Sequence, residues 1–140
     1  MKRSGSAVWQ GGLKDGKGTV STESGTLSNV AYNFSKRFEN EKGTNPEELV
    51  AAAHAACFSM ALSMILGMAG MTADSIDTKA TVTLEQVDGG FSVTSSHLDT
   101  TVKIPNADKA KFNEAVEKAK AGCPISKLLT AKITMNATLA

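Results

Sequence analysis

Two thiols carry the chemistry that this chain could perform. Cys57 sits inside a stretch with no formally charged residue from Leu49 to Met71, and Cys123 stands between Gly122 and Pro124. A Gly-Cys-Pro sequence marks one helix stopping and another starting, so Cys123 falls on a helix terminus. A cysteine nucleophile works as the thiolate, yet a free thiol titrates near pH 8.5 and is mostly protonated at neutrality. Cys123 has a source of activation in the helix dipole. Cys57, among apolar residues, has its pKa raised by desolvation. The residues alone therefore nominate Cys123 as nucleophile, unless a cation from elsewhere in the chain activates Cys57. Packing is the ordinary role of a buried cysteine, and Cys123 also reads as an ordinary cap residue.

The elements that must position these thiols form an α+β pattern. Ser6 to Gly11 and Gly18 to Thr22 are short strands around a turn at Lys14-Asp15-Gly16-Lys17, and Ala31 to Phe38 reads as a third, giving an N-terminal β-meander. Gly43-Thr44-Asn45-Pro46-Glu47-Glu48 is a helix start with a cap, a proline at the first position and acidic residues beside the dipole. A long buried central helix then runs to about Gly67 or Gly70. Lys79 to Glu85 and Phe91 to Ile104 are further antiparallel strands, the second slipping phase near Ser95-Ser96. Asp108 to Ala121 forms a second long helix, Cys123-Pro124 opens a short helical piece through Leu129, and Lys132 to Leu139 alternates as a last strand.

With 140 residues, 41% hydrophobic and 21% charged, residues 1–140 read as one domain. A net charge of +1 and scattered basic residues give no support to a nucleic-acid partner. No apolar signal core follows Met1-Lys2-Arg3, which predicts a cytoplasmic protein with reduced thiols. The uncharged helix is long enough to span a membrane, but its Ala, Ser and Gly content and the strand-rich remainder favour a soluble core helix, with no membrane partner. A helix apolar on every face needs cover on every face, more than a chain this short supplies, which points to a homodimer. No metal-ligand spacing or phosphate-binding glycine context is present, so no cofactor is expected.

Several words of the sequence resemble the OsmC/Ohr family, and its osmotically inducible OsmC branch most closely. They are Gly18 to Gly25, Arg37-Phe38-Glu39, Gly43 to Leu49, Ala53-His54-Ala55-Ala56-Cys57-Phe58-Ser59-Met60 and Lys118 to Ser126. Together they span nearly the whole chain. The resemblance implies an intertwined α+β homodimer without metal, haem or flavin. It would be a cysteine-based peroxidase acting mainly on organic hydroperoxides, less efficiently on hydrogen peroxide, and recycled by a small dithiol or lipoyl-type reductant. It also implies Cys57 as peroxidatic and Cys123 as resolving cysteine, with Arg37 as the activating cation and Glu47 as its carboxylate partner. A sulfenic acid on Cys57 would then condense with Cys123 to a disulfide.

Helical phase separates the two acidic residues, since Glu47 lies about 80° around the helix from Cys57 and Glu48 about 180°. Ten residues are also about 15 Å of helix, so Glu47 does not touch its own Cys57. Either Arg37 spans the gap, or Glu47 serves the partner chain's cysteine. His54, one turn before Cys57, reads as a core or pocket-shaping histidine rather than a base, and the methionines at 60, 64, 68 and 71 as core, with an apolar substrate channel as the second reading. Two other functions fit the residues: a module binding a lipid-like ligand with passive cysteines, and a thiol redox sensor.

Overall fold

A computed structural model describes residues 1–140, which divide into two compact units, Met1–Leu49 and Val50–Ala140. The first unit holds an antiparallel meander of β1 (Gly5–Gln10), β2 (Lys17–Thr22) and β3 (Val30–Tyr32) in that order. Gly18 is required at its centre. A Cβ there would stand 2.7 Å from both the Trp9 and Tyr32 rings, whose centroids lie 5.5 Å apart.

The third strand is shorter than the reading of Ala31 to Phe38 as one strand. The chain leaves the sheet after Tyr32 and forms a short helix, α1 (Phe34–Phe38). Asn33 is the cause: its side chain accepts from the Lys36 N–H at 2.8 Å and caps a helical turn. The apparent alternation of Tyr32, Phe34 and Phe38 hid this cap. Asn45 then caps the next helix, α2 (Pro46–Met68), by accepting from the Glu48 N–H at 2.8 Å. The Asn45 amide also donates to the Lys36 carbonyl at 3.2 Å, tying the end of α1 to the start of α2.

In the second unit, β4 (Ser75–Val87) pairs antiparallel with β5 (Gly90–Lys103) through a turn at Asp88-Gly89. The expected slip is present: Thr83 faces Ser95 but Leu84 faces Val93, leaving Thr94 as the extra residue of a bulge. Below it, Ser96, Leu98, Thr100 and Val102 point into the core. α3 (Lys109–Gly122, capped by Asp108) and the short α4 (Pro124–Leu128) carry the chain across to β6 (Lys132–Leu139). β6 joins β5 in parallel rather than antiparallel, because the helical crossover carries the chain from the Lys103 end of β5 back to its middle, where Lys132 starts opposite Ser95.

Phe58, Leu62 and Leu66 of α2 pack with Leu98 and Val102 of the sheet and with Phe112, Val116 and Ala119 of α3. With His54 they form one stripe at four-residue spacing, and they are the buried residues of α2. The helix is thus not buried all round within one chain. Met60, Met64 and Met68, read as core, are 77%, 63% and 82% exposed, and only Met71 is buried. The helix has a mean hydropathy of 2.0 over its most apolar window and passes the length and composition test for a membrane span.

Candidate functional site

The second unit contains both thiols, reduced. Cys57 is on α2, one residue off the buried stripe, and is partly exposed; Cys123 is fully buried. Cys123 is at once the C-cap of α3 and the N-cap of α4, with extended backbone (φ −62°, ψ 135°) and Pro124 at the first helical position. Its Sγ accepts from the Ser126 N–H at 3.3 Å, the role an N-cap oxygen normally fills, and its thiol donates to Ser126 Oγ at 3.3 Å. Each thiol shifts the titration of the other, and the Ile125 backbone N–H acts to lower both.

The electrostatics of the pair are unequal. Burial pushes the Cys57 thiol up; the Ile125 N–H draws it down in part, and the hydrogen bond to Cys123 raises it further. Burial also acts to raise Cys123, but hydrogen bonds from the Ser126 hydroxyl and N–H, the Cys57 thiol and the Ile125 N–H outweigh it, and the net direction is down. Within this unit Cys123 is therefore the more acidic of the two thiols, in the order that the helix-terminus argument gives. Exposure runs the other way, since Cys57 is partly exposed and Cys123 is fully buried.

In the first unit, Arg37 and Glu47 meet. Nη2 of Arg37 donates to Oε1 of Glu47 at 2.8 Å, and Nε donates to both carboxylate oxygens at 3.2 and 3.3 Å. The guanidinium carbon also stands 5.0 Å from the Phe38 ring centroid. Glu47 is 14% exposed and Arg37 36%, so the cation is pinned by its partner yet open on one side. Beside it, Trp9, Leu13, Tyr32, Phe34 and Phe38 line a recess of about 280 Å³. Arg37 thus stands on a short helix rather than on the strand read over Ala31 to Phe38, and its exposed guanidinium is paired. Glu48, on the opposite helical phase, is exposed.

His54 does not bond either sulfur directly. Its Nδ1 lies 2.7 Å from Ser96 Oγ and its Nε2 2.8 Å from Ser126 Oγ, and all three residues are buried. The sequence marks Ser96 only as part of the strand slip and Ser126 only as the end of a family motif, with no role at the site for either. The Cys-Pro-x-Ser spacing was a usable signal for Ser126, because it places a hydroxyl at the third position of a proline-opened helix. No group of His, Cys, Asp and Glu side chains has the arrangement of a metal site.

Residues 39–138 match the sequence model of a family described as OsmC-like protein. Peroxiredoxin OsmC of Escherichia coli (strain K12) is 56% identical over 136 residues, covering 97% of this chain and 95% of that one. Organic hydroperoxide resistance protein OhrB of Bacillus subtilis (strain 168) is 32% identical over 111 residues, 79% of each chain. Among solved structures, an organic hydroperoxide resistance protein from Elizabethkingia anophelis superposes with a TM-score of 0.69 at 27% identity, covering 100% of this chain and 97% of the other.

Proposed function

Because the chain belongs to the OsmC-like family, with relatives named for peroxiredoxin activity and organic hydroperoxide resistance, we propose that it detoxifies hydroperoxides as a cysteine-based peroxidase. The observation that carries the mechanism is the pairing of a partly exposed Cys57 with a buried Cys123, each close enough to shift the other's titration. The Cys57 thiolate attacks the distal peroxide oxygen, the O–O bond breaks, and the alkoxide leaves as the alcohol after taking a proton. Cys57 is left as a sulfenic acid. Cys123 attacks that sulfur, the S–O bond breaks, and one disulfide and one water result. A small dithiol, of the lipoyl type, then reduces the disulfide by exchange.

Since Cys57 is the weaker acid of the pair, the first step needs a cation, and Arg37 oriented by Glu47 fills that role. Support comes from the two-pronged ion pair and from the aromatic recess beside it, which suits the apolar body of an organic hydroperoxide. A homodimer supplies the rest. The uncovered Met60, Met64 and Met68 face of α2 is closed by a second copy, and each chain's Arg37 and Glu47 serve the other's Cys57. The setting is cytoplasmic, where the dithiol pool keeps both cysteines reduced.

A second reading takes Cys123 as the attacking sulfur, favoured by its depressed pKa. Its complete burial weighs against it. A steady-state assay with an organic hydroperoxide and a lipoyl dithiol tests the function: repeated turnover is expected, while no consumption of peroxide leaves a ligand-binding module, and oxidation without turnover leaves a sensor.

A further inference from the structure

The buried histidine is unused by the chemistry above, although a hydrogen-bonded line runs from it to the resolving thiol. Cys123 Sγ donates to Ser126 Oγ at 3.3 Å, Ser126 Oγ lies 2.8 Å from His54 Nε2, and His54 Nδ1 lies 2.7 Å from Ser96 Oγ. The parts come from three elements: Ser96 from β5, His54 from α2 and Ser126 from α4. His54 and Ser96 are fully buried and Ser126 nearly so. A buried imidazole needs a partner on each nitrogen, and here one of the two hydroxyls that supply them also holds the sulfur.

We propose that His54, acting through Ser126, is a positioning and proton-holding residue for disulfide closure, moving the proton of the Cys123 thiol rather than that of Cys57. This rests on the reading of Cys123 as the resolving cysteine. With Cys123 a thiol, the proton order along the line is sulfur to Ser126 Oγ, Ser126 hydroxyl to Nε2, and Nδ1–H to Ser96 Oγ. As closure begins, the thiol proton passes to Ser126 Oγ while the hydroxyl proton passes to Nε2. The sulfur is left as a thiolate that now accepts from Ser126, and Ser96 continues to accept from Nδ1. The thiolate attacks the Cys57 sulfur and the S–O bond breaks with its electron pair on oxygen. That oxygen takes up one proton as His54 releases one. The sum is one thiol and one sulfenic acid giving one disulfide and one water, with Cys123 sulfur oxidised and Cys57 sulfur reduced.

Two features suit the imidazole to this task. Burial disfavours its charged form, so it releases the proton again rather than trapping it. Both ring nitrogens are occupied by hydroxyls, so no charged side chain bonds the ring, and the titratable groups beside it are Cys123 behind Ser126 and Cys57 one turn along α2.

The test separates the two chemical steps. One equivalent of organic hydroperoxide is mixed rapidly with the reduced full-length protein, and alcohol release and disulfide formation are timed separately. Ser126→Ala removes one oxygen, and His54→Gln keeps a hydrogen-bonding group but cannot hold the proton; Ser126→Thr restores a hydroxyl. Closure is expected to slow on the order of 100-fold in the first two. Ser126→Thr should recover most of the rate. The loss should fall on closure and not on the alcohol burst, and the sulfenic acid should over-oxidise at lower peroxide. The pH at half-maximal closure should move upward by about 1–2 units in Ser126→Ala, which loses a hydrogen bond to the thiolate. Should His54→Gln fail to fold, Ser126→Ala decides alone. Closure at the parental rate and pH in Ser126→Ala overturns the inference while leaving the peroxidase reading standing. Absence of a burst in the parent overturns both.

Discussion

Replacing Arg37 with Met should move the titration of Cys57 more than any other single change outside the thiol pair. The guanidinium is held by contacts of 2.8, 3.2 and 3.3 Å to Glu47 and lies over Phe38. An opposite charge placed close to a thiolate lowers its pKa by about 1–3 units. Cys57 begins above its ordinary value because partial burial desolvates it. At a pKa of about 8.5, roughly 3% of a thiol is ionised at pH 7, and a drop of one to three units raises that about 8- to 30-fold. A thiolate of lower pKa is intrinsically less nucleophilic, so part of this gain is cancelled in the rate of attack. Titration is therefore a sharper readout than turnover. In a Cys123→Ser background, where Cys57 is the only thiol, the pH profile of iodoacetamide alkylation should rise by about 1–3 units on Arg37→Met. Glu47→Ala should raise it less, since the cation remains but loses its anchor. Superimposable profiles with and without the Arg37→Met substitution would refute the activating role.

Two further outcomes follow from the geometry. His54 is held neutral by burial, so its folded pKa lies below the unfolded value of about 6.5. Below that value the unfolded chain binds a proton that the folded chain does not. Stability should then fall with pH from about 6.5 towards the folded pKa, by up to about 1.4 kcal/mol per unit. Urea midpoints between pH 5 and 8 should show this slope, and His54→Gln should remove it; an identical slope in the variant contradicts the assignment. Mixing Cys57→Ser chains with Glu47→Ala chains under refolding conditions should regenerate one working site per heterodimer, whereas full activity in dilute monomers contradicts a shared site.

Much of the fold was legible in residues with a single physical meaning. Pro46 and the acids after it mark the start of α2, Asp88-Gly89-Gly90 marks the β4–β5 turn, and the change of phase between Val93 and Leu98 marks the bulge. Elsewhere a local pattern had two meanings. Tyr32, Phe34 and Phe38 alternate as a strand would, but the Asn33 side chain captures the Lys36 N–H, and a capped turn replaces the strand. The orientation of β6 depends on where a crossover delivers the chain, which alternation along β6 does not encode. The methionines of α2 have helical spacing, yet spacing does not say which stripe faces the same chain. At the site, the cap position of Cys123 could be read directly, while the line from His54 through Ser126 joins residues 72 apart in sequence and needed the fold.

The most direct measurement is mass spectrometry of the two single-cysteine variants after one equivalent of organic hydroperoxide. Cys123→Ser should carry sulfenic acid on Cys57 after a single turnover, passing to sulfinic acid only as a second peroxide is consumed, and Cys57→Ser should leave the peroxide unconsumed. Oxidation at Cys123 in the Cys57→Ser protein, with peroxide consumed at the parental rate, would contradict Cys57 as the peroxidatic residue.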